Sequence, residues 1–266
     1  MNAAISSRRS LRAVTANLAC GGPHTAQTIA GAHTWVAAAI AEGVDLLFLQ
    51  ECPSALPELT AGGFDVFAYT GPKGGYRCRS LVAVRRQDGV LASAFRPPSA
   101  DYHRSYVAGA TVTIGTIAFV ALSVHASPTP YDDRYGVDWE GEPPDPRAAG
   151  GGQLWDSDFV LSTLGRIVLA GHAVLAAGDF NEARSLDKPE ARWGDQYFAL
   201  ADGVGLRDST HRLWDGEVAT FGRHQDDRLL ATDMLDSRIH FAQVVRRGPL
   251  ARTASDHRPI EWSIEW

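Results

Sequence analysis

Three short strings in this sequence carry side chains that could bind a hard cation and handle a proton. Residues 178–181 read Gly-Asp-Phe-Asn, and Asp256-His257 pairs a carboxylate with an imidazole. Glu51 comes two residues after an apolar run that ends at Leu49. Carboxylate and amide oxygens suit Mg²⁺ or Mn²⁺, and an imidazole can exchange a proton near neutral pH. Together the strings predict a metal-dependent site that cleaves phosphoesters.

Each string also has a purely structural explanation. Glu51 could be the solvated end of a strand, and residues 178–181 could close a strand with an Asx turn. Asp256-His257 could be a turn, because Pro259 disfavours a helix before it. If the chain at 179–181 is instead extended, Asp179 and Asn181 project to one side and Phe180 points into the core.

Three further polar residues flank apolar runs. Asp227 precedes Leu229-Leu230-Ala231 and could accept a hydrogen bond from an imidazole and so fix its tautomer. His125 ends one apolar run and Asn17 follows another. A single His or Asn at such a position is more often structural, so neither position assigns a role without the others.

Composition limits the function classes. The chain has 266 residues, 45% of them hydrophobic and 21% charged, with a net charge of −6. This balance suits a globular protein and argues against a broad basic face that grips long nucleic acid, although a local patch could hide. The sequence has no apolar run long enough to span a membrane.

Cysteine usage predicts a reducing compartment. Cys20, Cys52 and Cys78 are odd in number and widely spaced, without zinc-ligand spacing, so we expect free thiols and a cytoplasmic protein. Residues 7–12 resemble a twin-arginine export signal. The apolar stretch that follows, residues 13–19, is at the lower limit for a signal and contains Asn17, so we expect no export.

Hydrophobic periodicity predicts helices and strands that alternate in both halves, with hairpins mixed in. A Pro- and Gly-rich, acidic loop is expected at 126–152, and Gly43 should end the first helix. We therefore predict one domain over residues 1–266, an α/β sandwich of two packed sheets covered by helices. Helices are expected at 25–42 and 153–170, and strands at 11–17, 44–49, 65–69, 81–85, 107–114, 117–124, 172–177, 226–232, 237–246 and 261–265.

The polar strings fall at strand ends, where chemistry collects in such folds, so they should meet in one cleft. Six strings in order resemble the endonuclease/exonuclease/phosphatase (DNase I-like) superfamily and extend from residue 15 to 257. They are Thr15-Ala16-Asn17, Leu49-Gln50-Glu51, Ser123-Val124-His125, Gly178-Asp179-Phe180-Asn181, the run 227–232, and Ser255-Asp256-His257.

The resemblance implies a two-sheet α/β sandwich that hydrolyses phosphoesters with Mg²⁺ or Mn²⁺. It makes Glu51 the main metal ligand, with Asn17 and Asp256 as direct or water-mediated partners. It makes Asp179 the group that orients and activates the attacking water, and Asn181 the amide that binds the scissile phosphate.

The resemblance also implies roles for two histidines. His257 would bind phosphate or act as a general base, with Asp227 as its orienting carboxylate. His125 would lie near the leaving oxygen. Asp236 competes with Asp227, and we prefer Asp227 because the apolar run after it fits the superfamily better.

The substrate stays open at this level. An acidic loop at 126–152 disfavours a long polyanion and favours a small or locally accommodated phosphoester, with nucleic acid or a nucleotide as candidates. Aromatic residues in that loop could stack on a base, and Arg77 or Arg79 could contact phosphate. The alternatives are a phosphomonoesterase, a lipid-headgroup phosphodiesterase or a catalytically silent binding module on the same fold. The aromatic residues are Tyr131, Tyr135 and Trp139.

Overall fold

The structure, a computed structural model, describes residues 10–20, 26–53, 55–68, 79–98, 107–128, 130, 144, 147, 153–189, 192–252 and 255–266. The strands within them are β1 (Ser10–Asn17), β2 (Leu46–Cys52), β3 (Phe64–Ala68), β4 (Arg79–Arg85), β5 (Val90–Phe95), β6 (Ala108–Ile114), β7 (Ile117–His125), β8 (Val174–Asp179), β9 (Leu206–Asp208), β10 (Asp227–Thr232), β11 (Ile239–Val244) and β12 (Ile260–Glu265). The α-helices are α1 (Ala26–Ala41), α2 (Pro57–Ala61), α3 (Asp156–Leu169), α4 (Trp193–Gly203), α5 (Ser209–Trp214) and α6 (Asp233–Asp236).

The strands form two six-stranded sheets. The first sheet has the order β11-β12-β1-β2-β4-β3, and the second has the order β5-β6-β7-β8-β10-β9. Both are mixed: β1 pairs with β2 in parallel, and so does β7 with β8, whereas the other pairings are antiparallel. The predicted two-sheet α/β sandwich is confirmed.

The apolar run of β2 explains how this strand sits at the centre of the first sheet. Successive side chains of a strand point to opposite faces, and here both faces are buried. Leu46 and Phe48 face the core between the two sheets, whereas Leu47 and Leu49 face α1 and α2. Burying each such side chain contributes about 1.5–3 kcal/mol, so the run stabilises a central position for this strand, with an apolar layer on each face.

Three apolar layers result. The layer between the sheets includes Leu11, Phe48, Leu175 and Trp262. A second layer lies between the first sheet and α1, and a third between the second sheet and helices α3 and α4. The central layer holds the ends of β1, β2, β7 and β8 at one edge of the sandwich, which is where the candidate site lies.

Most predicted elements are present with small shifts in their ends. α1 covers 26–41, and Gly43 follows it with the positive φ of +77° expected at a helix C-terminus. The predicted hairpin joins β6 to β7, with Ile114 paired to Ile117. Strands β5 and β9 and helices α2, α4, α5 and α6 were not predicted.

Several predictions lie outside the described residues. These are the N-terminal segment before Ser10, most of the acidic loop with its three aromatic residues, Arg77 and Cys78. A single domain over 1–266 stays a prediction. Among the described helices, none is both long and apolar enough to cross a membrane.

Candidate metal and phosphate site

The ends of two parallel strand pairs carry four of the predicted site residues. Asn17 ends β1 and Glu51 lies near the end of the adjacent strand β2. In the second sheet, His125 ends β7 and lies opposite Asp179, which ends β8. Asp227, the first residue of β10, lies opposite Asp179 on its other side. The register therefore places His125, Asp179 and Asp227 side by side across three strands.

Glu51 owes its direction to an irregularity in β2. Leu49 pairs with Leu81 and Cys52 with Arg79, so two residues of β2 lie opposite one residue of β4. Such a bulge re-aims a side chain. Glu51 itself has a φ of +46°, a conformation that costs a non-glycine residue about 1–3 kcal/mol and tends to occur at functional sites.

Asn17 joins the carboxylates of the two sheets. Its Oδ1 accepts a hydrogen bond of 2.9 Å from the backbone N–H of Ala19, which fixes which end of the amide faces inward. Its Nδ2 then donates to Glu51 Oε1 at 3.1 Å and to Asp179 Oδ2 at 3.2 Å. In this conformation Asn17 faces the site as a donor that positions the carboxylates, and its role as a direct or water-mediated metal partner stays a prediction.

Gly178 lets β8 approach β7 at the site. Its φ of +146° is a region that other residues rarely adopt, and a Cβ there would lie 2.0 Å from the carbonyl oxygen of Val124. This close approach brings Asp179, which is 1% exposed, next to His125.

Of the two alternatives for residues 178–181, the structure has the Asx turn and not the extended chain. Asn181 has a φ of +49°, and its backbone N–H donates to Asp179 Oδ1 at 3.0 Å, which is an Asx turn. Asn181 Nδ2 donates to the carbonyl oxygen of Ala126 at 2.6 Å. Phe180 is fully buried, as predicted. The turn and the site thus coexist, because the turn keeps both polar side chains at the edge of the sheet.

Asp179 and Asp227 bring two carboxylates together at the centre of this cluster. Burial raises the pKa of Asp179 well above its ordinary value, and the neighbouring charge of Asp227 adds to that rise. A cation next to this group would oppose the rise by favouring the charged form. Within the described chain, no three His, Cys, Asp or Glu side chains form a ready ligand set. Mg²⁺ is commonly held by one or two carboxylates and otherwise by water and phosphate, so the pair Glu51 and Asp179 fits it.

His257 is held by Asp227, as predicted. Its Nδ1 lies 2.8 Å from Asp227 Oδ2, and its Nε2 lies 3.6 Å from Asp179 Oδ2. Burial lowers the pKa of His257, but the hydrogen bond and charge of Asp227 outweigh this effect and raise it to about 10. Asp236 is engaged elsewhere: it accepts from Ser209 Oγ at 2.6 Å.

His125 differs from His257 in its proton state. Its Nε2 lies 3.4 Å from Glu51 Oε1 and 3.9 Å from Asp179 Oδ2. Burial lowers the pKa of His125, and the charge of His257 lowers it further, against the opposing effect of Glu51. At neutral pH the cluster therefore combines a charged His257 with a neutral His125, one on either side of Asp179.

Two predicted residues lie less centrally. Asp256 is exposed, and its charge contributes less than Asp227 to the raised pKa of His257; its place beside the metal stays a prediction. Arg79 is half-buried at the start of β4, opposite Cys52, and so lies at the same edge as Glu51.

A buried polar network below the site was not predicted. Gln50 Nε2 donates to Ser123 Oγ at 2.9 Å and to Thr15 Oγ1 at 3.2 Å, and Ser123 Oγ donates to the carbonyl of Leu49 at 2.9 Å. These bonds link β2 of the first sheet to β7 of the second. The available signal was a polar residue inside each of three apolar strands.

Two fully buried arginines hold the residue after Asn181. Arg147 donates to the Glu182 carboxylate at 2.5 Å, and Arg228 Nε donates to the Glu182 carbonyl oxygen at 3.0 Å. Arg147 also binds Asp158 on α3 and lies over the Trp193 ring. Glu182 is thus fixed at its side chain and at its backbone.

Comparisons with known proteins show the fold. No protein-family model matches the chain, and no curated protein matches it. Among solved structures, the AP endonuclease LMAP from Leishmania major is similar with a TM-score of 0.68 and 14% identity, over 97% of this chain and 88% of that one.

Two other solved structures agree. An endonuclease/exonuclease/phosphatase from Bacteroides vulgatus has a TM-score of 0.64 at 15% identity, and D. rerio TDP2 complexed with a single-strand DNA product has 0.62 at 15%. Each match covers 96% of this chain and 98% of the other. The fold that the six strings suggested is therefore confirmed.

Proposed function

We propose that this chain, which has the DNase I-like fold, is a divalent-metal-dependent phosphoester hydrolase that acts as a phosphodiesterase. One observation carries the proposal. At the edge where the two sheets meet, the carboxylates of Glu51 and Asp179 lie within 3.9 Å of the Nε2 atoms of His125 or His257.

Glu51 and Asp179 would hold Mg²⁺ or Mn²⁺. A bound divalent ion supplies positive charge that offsets the phosphate's negative charge and stabilises the charge that develops as the ester bond breaks. Asn17 holds the two carboxylates together, because its Nδ2 donates to both. Water and phosphate oxygens would complete the coordination.

Asp179 and Asn181 would act on the reacting groups. Asp179 orients the attacking water and accepts its proton when the carboxylate is ionised. One N–H of the Asn181 amide donates to Ala126, which leaves the second N–H for a phosphate oxygen. The Asx turn between the two residues fixes their relative positions.

His257 and His125 would have different roles, phosphate binding and proton transfer. His257, with its pKa raised to about 10 mainly by Asp227 against the effect of burial, is an imidazolium at neutral pH. It therefore suits phosphate binding better than the role of a base. His125 is neutral at the same pH, so it could protonate the leaving oxygen only after it takes up a proton, which the attacking water would supply through Asp179, 3.9 Å away.

The substrate class and the setting belong to the same proposal. Structures of similar fold include an AP endonuclease and a TDP2 bound to single-strand DNA, which supports nucleic acid or a nucleotide as the phosphodiester. The odd number and wide spacing of Cys20, Cys52 and Cys78 support a reducing, cytoplasmic setting.

A substrate panel tests the proposal. Purified protein is assayed with Mg²⁺ on bis(p-nitrophenyl) phosphate, p-nitrophenyl phosphate, sphingomyelin and labelled oligonucleotides, each with and without EDTA. We expect diester hydrolysis that EDTA abolishes and that Asp179→Asn abolishes as well. Faster hydrolysis of the monoester or of sphingomyelin would identify one of the alternative hydrolases. No turnover on any substrate would favour a silent binding module.

A further inference from the structure

The connection between β11 and β12 presents a cluster of arginines beside His257. Arg246, Arg247, Arg252 and Arg258 are all exposed. Asp256 is the one acidic residue among positions 246–258. The cluster is locally positive on a chain whose net charge is −6. We call these four residues the arginine surface.

Three other arginines of the described chain, with exposed or half-exposed side chains, have carboxylate partners. Arg86 lies 3.8 Å from Asp65, and Arg192 and Arg207 form ion pairs with Asp195 and Asp202. For the arginine surface, no ion pair with a carboxylate occurs among the residues that the structure describes. Glu261, the next acidic residue along the chain, is already bound to Arg12 at 2.6 Å.

The strand register places two of these arginines at the same end of the β11–β12 pair. Val244 pairs with Ile260, and Val245 N–H donates to the carbonyl of Pro259 at 2.8 Å. Arg246 lies just after the end of β11, and Arg258 lies just before the start of β12. A polyanion bound at this end of the pair would offset the positive charge of both.

Backbone hydrogen bonds at Leu250 and Arg258 hold the connection against the rest of the protein. Leu250 is buried, and its carbonyl oxygen accepts a 2.9 Å hydrogen bond from Trp35 Nε1 on α1. Arg258 N–H donates to the carbonyl of Thr220 at 2.9 Å. Arg258 is also the residue after His257, so the backbone of this surface adjoins the candidate site.

We propose that the arginine surface binds the phosphate backbone of a nucleic-acid strand, DNA or RNA, whose scissile phosphate lies in the site. This deepens the proposed function and rests on it. Arginine suits phosphate because its planar fork can donate two parallel hydrogen bonds. A membrane surface is the weaker partner, since Val245 and Leu250, the large apolar residues in the described part of this connection, are buried and so do not insert into lipid.

The test compares two triple variants of equal charge change. One replaces Arg246, Arg247 and Arg252 by Gln, and its control replaces Arg86, Arg192 and Arg207 by Gln. Binding of fluorescein-labelled single-stranded DNA and RNA is measured by anisotropy in EDTA over a range of salt concentrations. In parallel, binding to phosphatidylserine vesicles and hydrolysis of bis(p-nitrophenyl) phosphate with Mg²⁺ are measured.

For the surface variant we expect oligonucleotide affinity at least about 10-fold below wild type. Its plot of log affinity against log salt should be less steep by about 2, since each phosphate contact of a single strand contributes about 0.7. The control variant should stay within about 2-fold. A preference for DNA or for RNA would identify the strand, and equal binding of both would still support backbone recognition.

Three results would overturn the inference. The first is that wild type does not bind oligonucleotides, or that the surface variant binds them as tightly as wild type. The second is an equal loss of affinity in the control variant. The third is a loss of binding that is confined to the vesicles. The small diester separates this inference from the proposed function. If wild type binds oligonucleotides through the surface but hydrolyses no diester, the hydrolase proposal fails while the surface stands.

Discussion

Asn17 and Asp179 lie in different sheets, and a 3.2 Å hydrogen bond joins them. Asn17 ends β1 in the first sheet, and Asp179 ends β8 in the second. The same Asn17 amide donates to Glu51, so one side chain sets the separation of both carboxylates. The candidate site thus depends on how the two sheets pack. A change in the packing below the site should therefore change its catalytic activity.

Gly178→Ala tests that dependence. The new methyl group would lie 2.0 Å from the Val124 carbonyl oxygen, and the φ of +146° would be strained. We expect a loss of at least about 2–3 kcal/mol in the free energy of unfolding, together with loss of diester turnover. Chemical denaturation measures the first quantity.

Gly203→Ala is the matched control for this change. Gly203 ends α4, and a Cβ there would meet no atom within 4 Å. The substitution should leave the free energy of unfolding within about 1 kcal/mol of wild type. Equal effects at Gly178 and Gly203 would contradict the close approach of β7 and β8.

Asp227→Asn should change the titration of His257. In the metal-free protein the hydrogen bond and charge of Asp227 outweigh burial and raise the pKa of His257 to about 10. Because the folded-state pKa is raised, the stabilisation from this pair is complete below the unfolded value near 6.5. It is lost as pH rises through about 10.

NMR titration of the His257 ring in EDTA checks this prediction. Without the Asp227 charge, the pKa of His257 should fall by at least about 1 unit, and the alkaline loss of stability should be smaller and end at a lower pH. Asp236→Asn is the control, because Asp236 binds Ser209 and Arg212 and not His257. A His257 titration that is the same in wild type and Asp227→Asn would rule out the pairing.

Arg147→Met tests whether the buried arginines position Asn181. Removing one partner of a buried ion pair costs about 3–5 kcal/mol, and Glu182 would lose its 2.5 Å bond to Arg147. If Arg147 acts on the reaction through Asn181, its substitution should lower kcat/KM about 10-fold in wild type and less than about 2-fold in an Asn181→Ala background.

Arg85→Met serves as the control for that cycle. Arg85 binds two backbone carbonyls and lies over the Phe64 ring, at the opposite end of β4 from the site. Its substitution should lower stability with the same small effect on kcat/KM in both backgrounds. Equal catalytic losses from Arg147→Met in the two backgrounds would assign Arg147 a structural role alone.

The ion pairs of buried Arg228 with Asp208 and Glu217 should govern stability at acid pH. Burial would raise the pKa of Asp208 and of Glu217, but the charge of Arg228 outweighs it and the pKa of each is lowered. A lowered folded-state pKa contributes stability above the unfolded pKa near 4, and that stability is lost as pH falls through the folded value.

Asp208→Asn should therefore lower the free energy of unfolding at neutral pH and weaken its dependence on pH below about 4. Thermal unfolding across the acid range measures both effects. Asp202→Asn, at an exposed pair with Arg207, should change stability by less than about 1 kcal/mol. A steeper acid loss in Asp208→Asn than in wild type would contradict the pairing.

Apolar runs and the polar residues at their ends made the strand scaffold of the site predictable. A run buried on both faces, as at 46–49, identifies a central strand without knowledge of its neighbours. β5 was missed because it is a sheet edge on which Leu91 is 72% exposed, so its pattern lacks clear alternation. β9 has three residues, too few for any period to appear.

Features that depend on distant contacts were not predictable. Arg147 meets Glu182 across 35 positions of sequence. The Asx turn at 179–181 was one of two local alternatives, and the bond from Asn181 to the distant Ala126 accompanies it. Asp256 was placed near the metal by the resemblance, and that assignment stays a prediction.

The most direct test of the central claim is Mn²⁺ binding followed through the two histidines. Mn²⁺ is added to ¹⁵N-histidine-labelled protein, and line broadening of the His125 and His257 rings is compared between wild type and Glu51→Gln. We predict that wild type binds Mn²⁺ with selective broadening of these two rings, and that Glu51→Gln weakens binding at least about 10-fold. Equal Mn²⁺ affinity in both proteins, or broadening confined to other histidines, would contradict a metal site between the two sheets.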